Sequence, residues 1–335
     1  MSGWPAPLVR ISRALELVNA LGRIPYRVGL RAAARAPVPV VSVGNIAVGG
    51  SGKTPLVAAL ARTLLECGAT PAILTRGYGR RDRDTVVVRD DPGVSWERVG
   101  DEPALLARAV PAAGIVVDAD RVRGARLAVE RLGATHLLLD DGFQHWRLAR
   151  DLDVVTVDAA DPLCRRSPRR EHPRALARAS AIVLTGTARE PEQAISEVRR
   201  YARDCPILVT RVVPVALHLA GEVLPPSVLA GRQVLAFAGI AAPGRFAATV
   251  AELGATAVRL ARFPDHHAYG RAELDRLLAA AAGQGLLPLT TAKDAVRIPT
   301  DLLPGIAWLD VEAQPLQGTF DELLRPVLAG LQSRP

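Results

Sequence analysis

Lysine is nearly missing from this 335-residue chain: of its 42 lysine and arginine residues, only Lys53 and Lys293 are lysines. The arginine excess has two readings, biased codon usage, under which a position that keeps lysine calls for a compact, mobile ammonium rather than a planar fork, and attraction to an anionic partner such as a membrane surface, an acidic ligand or nucleic acid. Aromatic residues are also scarce, at 4%. The formal charge is +8, yet the arginines are spread out and not interleaved with rings, so no nucleic-acid partner is expected. Cysteine is limited to Cys67, Cys164 and Cys205. Odd in number, far apart and without metal-ligand spacing, they argue against a disulfide framework, show no zinc site and point to a reducing compartment. Apolar residues, by contrast, make up 49% of the chain. That is enough for a full core, and at this length two domains are expected rather than one.

The β-branched run Val38 to Val43 empties into a glycine-rich loop, Gly44-Asn45-Ile46-Ala47-Val48-Gly49-Gly50-Ser51-Gly52-Lys53-Thr54. An apolar helical pattern then opens at Pro55. Strand, loop and helix in that order make a phosphate cradle, in which backbone N–H groups around Gly49, Gly50 and Gly52 converge on phosphate oxygens. Lys53 adds a point charge for the β/γ-phosphates, Thr54 offers a hydroxyl to Mg²⁺, and the helix start turns its positive dipole end to the anion. The usual pattern has glycine where this chain has Ala47.

Downstream, apolar runs alternate with helical patterns as far as Arg203, the signature of a parallel sheet with helices on both faces. Leu208–Val213 and Val215–Leu219 read as two extended runs broken by Pro214, within a connecting ribbon. Further strand and helix patterns begin at Gln233. The expected fold is therefore α/β: a P-loop NTPase-like domain over 37–205, a β-ribbon linker over 206–232 and a smaller C-terminal α/β domain over 233–335.

Before residue 40, Arg10, Arg13, Arg23, Arg27, Arg31 and Arg35 face Glu16 alone. A helix from Leu8 to Ile24 gathers Ile11, Ala14, Leu15, Leu17, Val18, Leu21 and Ile24 on one face, opposite Ser12, Arg13, Glu16, Asn19 and Arg23. It is too interrupted by charge to span a bilayer and lacks a signal-peptide cleavage site. The pattern of residues 1–36 leaves open an in-plane membrane anchor and a helix docked on its own domain.

Four further stretches carry chemistry. His136 to Asp141 is an apolar strand ending in two carboxylates, Asp140 and Asp141, the placement that holds Mg²⁺ or its water beside a phosphate loop. Asp101, in Gly100-Asp101-Glu102-Pro103, either caps a helix or takes a proton from an attacking hydroxyl. Asp265-His266-His267 sets two imidazoles beside an acid, either as a structural pair or as a tuned base that needs the second domain to close over the first. Arg165, Arg166, Arg169 and Arg170, followed by Glu171, form either a solvated loop or a phosphate clamp. A nucleotide-driven switch or metal-delivery NTPase acting on a protein partner is the alternative class. Thr291-Ala292-Lys293-Asp294 has the wrong spacing for its guanine reader, and its metal-ligand cluster is missing too.

Taken in order over nearly the whole chain, the glycine loop, Arg76-Gly77-Tyr78-Gly79, Gly100-Asp101-Glu102, Asp120-Arg121, Asp140 to His145, Arg170-Glu171, Phe237 to Ile240, Asp265-His266-His267 and Thr291 to Asp294 resemble the tetraacyldisaccharide 4'-kinases of lipid A biosynthesis. That family itself lacks glycine where Ala47 stands. The resemblance implies transfer of the ATP γ-phosphate to the 4'-hydroxyl of a tetraacylated glucosamine disaccharide 1-phosphate, at the cytoplasmic face of the bacterial inner membrane. It implies Lys53 and Thr54 on phosphates and Mg²⁺, with Asp140, Asp141 and Glu171 completing the metal shell, and Asp101 with His266 as the base pair. Tyr78, Arg121, Gln144 and Arg170 become substrate contacts. The approach to Arg170, Asp161 to Pro168, departs from the family's glycine-containing one. An acyl-anchored acceptor brings the enzyme to the bilayer surface, which favours the anchor reading of the first helix. No obligate protein partner is evident.

Overall fold

The computed structural model describes residues 6–50, 52–80, 83–186 and 191–329, with side chains from Ser12 onward, so Ser51 of the phosphate loop lies outside the described residues. Its strands are β1 (Val40–Asn45), β2 (Pro71–Thr75), β3 (Val86–Val88), β4 (Gly114–Val117), β5 (His136–Asp140), β6 (Leu152–Asp158), β7 (Ala181–Thr185), β8 (Ile207–Leu219), β9 (Glu222–Leu224), β10 (Gln233–Ala238), β11 (Ala257–Arg262), β12 (Leu287–Thr291) and β13 (Ala307–Pro315). The helices are α1 (Ala6–Arg27), α2 (Lys53–Glu66), α3 (Trp96–Val99), α4 (Asp101–Ala109), α5 (Arg121–Leu132), α6 (Pro191–Arg199), α7 (Pro243–Glu252), α8 (Arg271–Ala282), α9 (Ala292–Ala295) and α10 (Phe320–Leu328).

All the strands join one sheet, in the order β3-β4-β2-β5-β1-β6-β7-β8-β13-β12-β10-β11, with β9 hairpinned on β8. From β4 to β8 every neighbour pair is parallel, and β1 sits between β5 and β6. Parallel strands covered on both faces must be apolar throughout, and β1, β2, β4, β5 and β7 are buried at every residue. Their side chains alternate between two cores. Val41, Val43 and Leu138 meet Leu56, Leu60 and Leu64 of α2, whereas Val40, Leu137 and Leu139 meet Ala125, Ala128 and Leu132 of α5. Asp120 caps α5 by accepting from the Val122 and Arg123 amides.

The second half has its own core, in which Val234, Ala236, Leu289 and Leu309 pack on Phe246 and Val250 of α7. On the other face Phe237 packs with Tyr269, Leu274 and Ile298. The joint between the halves is β8, parallel to β7 at its start and antiparallel to β13 along most of its length. β8 is a single strand rather than two runs broken at Pro214. Pro214 and Ala216 oppose the consecutive residues Val311 and Asp310, so Val215 bulges out next to the residue that cannot donate to the ladder. Sequence periodicity also passed over β11, an edge strand whose Arg259 and Arg262 are exposed and whose other residues are half-buried. It missed α10 too, whose Phe320, Leu324 and Val327 return to the α2 core.

α1 is turned the opposite way from an ordinary docked amphipathic helix. Its polar side faces the protein: Ser12 Oγ accepts from the Arg169 amide, Asn19 Nδ2 donates to the Arg170 carbonyl, and Glu16 pairs with Arg169 at 3.0 Å. Leu17, Val18, Leu21 and Ile24 are left 59%, 65%, 56% and 47% exposed. No helix among the described residues is long and apolar enough to cross a membrane.

Candidate active site

β1 ends at Asn45 and α2 begins at Lys53, so the loop between them lies at the C-terminal edge of the parallel sheet, where α/β folds place ligands. Gly52 precedes α2 with φ 73°, and a Cβ there would stand 3.2 Å from Thr185, so both backbone and space call for glycine. The departing approach to Arg170 is held to this loop by its backbone. Val48 N donates to Pro168 O at 2.7 Å, Arg170 N to Ile46 O at 2.7 Å, and Ala47 bridges Arg169. A segment that pattern matching placed loosely is thereby clamped beside the phosphate loop.

β5 is next to β1 in register, Val43 opposite Asp140, which brings the strand-end acids to Lys53. Lys53 Nζ is 3.4 Å from Asp141 Oδ1, and Arg170 pairs with Asp141 Oδ2. Burial pushes the Asp141 carboxyl up, but Lys53 and Arg170 outweigh it and hold the group below the usual carboxylate range. Asp140 goes the other way. Buried at the strand end, near Glu102 and Asp141, it is raised to about 7 despite Lys53 and a Thr75 hydroxyl donating at 3.2 Å. Such a buried acid is short of positive charge. Together with Thr54 at the start of α2, this pair fits Mg²⁺, which takes one or two carboxylates and completes its octahedron with phosphates and water. Among the described residues no three His, Cys, Asp or Glu side chains form a metal cluster by themselves.

Around this floor, Glu171 accepts from Arg178 with both oxygens at 3.0 Å and from Gln144 Nε2 at 2.9 Å, so its carboxylate is occupied. Gln144 Nε2 also donates to the Asn45 carbonyl at 2.9 Å, while its Oε1 is buried with no partner. Arg121 is buried, held by the Asp118 carbonyl and lowered to about 10, first by burial and then by Arg76. His145, which motif reading left without a role, is lowered to about 4 by burial and by Arg121, Arg150, Arg147 and Arg76.

Asp101 and His266 meet, although far apart in the chain. His266 Nδ1 donates to Asp101 Oδ2 at 2.7 Å. Asp101 is not a side-chain cap: Gly100 occupies that position with φ 97°, a Cβ there would lie 2.9 Å from the Tyr78 carbonyl, and Asp101 Oδ1 takes the Glu102 amide. His266 has φ 59°, and its amide donates to the Gly239 carbonyl at 3.1 Å. Two residues beyond Gly239, Ala241 lines a cavity together with Gly50, where an added Cβ would come within 3.9 Å of it, so one turn of the second half neighbours both His266 and the phosphate loop. That cavity, of about 200 Å³, is also lined by Ala47, Val48, Gly49 and Arg245. Tyr78, 73% exposed, puts its ring 5.9 Å from that of His266. His267 is elsewhere, donating to Glu273 at 2.7 Å and stacked on Phe263. The Asp101 hydrogen bond raises the His266 pKa above its ordinary value, with burial and Lys293 opposing.

A strand–loop–helix cradle with Lys53 against a strand-end acid, and an imidazole that can take a proton from a hydroxyl, together define a P-loop phosphotransferase. A family model, LpxK, tetraacyldisaccharide-1-P 4'-kinase, matches residues 4–329. The tetraacyldisaccharide 4'-kinase of Anaeromyxobacter dehalogenans strain 2CP-C is 43% identical over 88% of this chain and 81% of its own length. That of Geobacter metallireducens is 38% identical over 95% and 98%. The crystal structure of LpxK from Aquifex aeolicus in complex with ATP superposes with a TM-score of 0.76 at 30% identity, covering 96% of this chain and 99% of that one. The chain belongs to the tetraacyldisaccharide 4'-kinase family and is an ATP-dependent lipid A 4'-kinase.

Proposed function

We propose that the enzyme phosphorylates the 4'-hydroxyl of a tetraacylated glucosamine disaccharide 1-phosphate, giving lipid IVA, with residue roles that follow from the cleft. The observation that carries this reading is the 2.7 Å Asp101–His266 contact beside the loop of Lys53. Asp101 orients the ring and supports the imidazolium, so that His266 Nε2 accepts the hydroxyl proton as the acceptor attacks the γ-phosphate. Amides of Ala47 to Gly52, Ser51 included, hold the phosphates, and Lys53 balances the charge gathering on the transferred group.

Mg²⁺ would be held by Thr54, Asp140 and Asp141 and would supply neutralisation of phosphate charge. Glu171 joins that shell only on release from Arg178. Asp141 is paired with Lys53 and Arg170 and would hold the cation only by giving up those partners, which would then be available to phosphate. Tyr78, Arg121, Gln144 and Arg170 surround the acceptor sugar and its anionic group.

The division into 37–205, a ribbon at 206–232 and a C-terminal unit from 233 is part of this reading, with α10 clasped to the first unit. So is a membrane-facing α1: four large apolar side chains turned outward, on a helix held to the protein by its polar edge, suit in-plane insertion at the cytoplasmic face of the inner membrane. Acceptor-dependent transfer of label from γ-labelled ATP to a detergent-dispersed lipid A disaccharide precursor tests the assignment. ATP hydrolysis without lipid labelling would count against it and in favour of a nucleotide-driven switch.

A further inference from the structure

One of the two lysines has no task in the reading above. Lys293 is the second residue of α9, with its ammonium 3.4 Å from His266 Nε2 and 3.5 Å from Asp265 Oδ1. His266 Nδ1 is committed to Asp101, so Nε2 is the ring nitrogen left to accept a proton, and Lys293 stands directly at it. We propose that Lys293 is a positioning residue for the base: anchored by Asp265, its ammonium opposes protonation of the His266 imidazole and keeps Nε2 as the accepting nitrogen. The inference rests on His266 being the base.

The physical need is plain. A buried carboxylate bonded to Nδ1 favours the imidazolium, and an imidazole already protonated cannot take the acceptor's proton. A cation at Nε2 opposes that pull. The groups facing His266 are Asp101 on α4, Asp265 in its own loop, Lys293 on α9, the neutral Tyr78 ring, and Arg297 just after α9, whose Nη1 is 3.8 Å from Asp101 Oδ2. Two carboxylates are thus matched by two cations, and the neutral ring completes the balance. Arg297 cannot stand in for Lys293. Its side chain is 1% exposed and tied to Asp294 and the Gly239 carbonyl behind Asp101.

The residue type fits the role. In a chain that otherwise uses arginine, a single-point ammonium fits between Nε2 and Asp265 and can withdraw when a hydroxyl arrives, whereas a rigid fork would hold its place.

The test follows the His266 imidazole by NMR across pH in full-length wild type, Lys293→Gln, Lys293→Met and Lys293→Arg, with kcat/KM profiles on the same proteins. Removing the cation is expected to raise the His266 pKa by about one pH unit in both charge-free variants, moving the acid limb of kcat/KM upward equally. Lys293→Arg should stay near wild type in titration while losing turnover. An unmoved titration in Gln and Met overturns the inference, and so does an equal rise in Arg, since charge would then not be the agent. A titration that moves while the acid limb stays still upholds the Lys293–His266 coupling and instead removes His266 as the base.

Discussion

The phosphate loop and the Asp101–His266 pair differ in how much of the chain must fold before each exists. Ile46 to Thr54 are contiguous, and their acids arrive on β5, the strand hydrogen-bonded to β1. The Asp101–His266 pair joins the first turn of α4 to a left-handed residue in the second half, 165 positions apart. The first site is local geometry repeated wherever a strand, a tight loop and a helix follow one another. The second depends on β8 and β13 holding two cores at one spacing, so it is the part that a change in the joint would alter first.

The largest expected effect falls on the local site. Lys53→Ala should lower kcat/KM roughly a thousandfold and weaken ATP binding, since one group serves both ground state and transition state. Next come Asp101→Ala and His266→Ala, each lowering turnover about a hundredfold while sparing ATP binding in equilibrium titration. Loss of ATP affinity in either would merge the two sites and erase the contrast. Pairing Leu17→Glu with Leu21→Glu should weaken sedimentation with anionic vesicles about tenfold or more, because both side chains face outward. Unchanged sedimentation would remove α1 from the membrane.

Two smaller effects sharpen the comparison. The His266 pKa is raised by Asp101, so kcat/KM should fall on acidification through a value above the ordinary histidine pKa, and Asp101→Asn should move that limb to lower pH. Asp140, raised to about 7 by burial, costs folded-state stability as pH rises from its unfolded pKa through that value, so Asp140→Asn should melt higher than wild type at pH 8 without metal, though inactive. Equal melting temperatures would show that Asp140 is already neutralised. The smallest expected change is in His267→Ala, within about threefold of wild-type turnover, because that ring is spent on Glu273 and Phe263.

Much of the fold was legible because buried parallel strands must be uniformly apolar and the helices between them periodic. β1 and β5 match their expected spans within a few residues, and α2 opens within two residues of Pro55. Where one residue serves two constraints, periodicity misleads. Pro214 reads as a break yet sits inside β8, next to a bulge at Val215, where its missing donor is tolerated. Thr291 to Asp294, a near-miss for a base reader, turns out to build a cap and a buried hub: Thr291 caps α9, and Asp294 receives Gly239 N and the Tyr269 hydroxyl.

By itself the sequence determined the phosphate loop, the acids at the end of β5 and the amphipathic pattern of α1, because each depends on residues within a turn or a strand of one another. Only the tertiary structure decided that α1 docks by its polar edge, that Glu171 is taken by Arg178, and that Lys293 stands at His266 Nε2. Those outcomes are set by contacts between distant segments, where a shift of a few ångströms in packing changes which charge meets which.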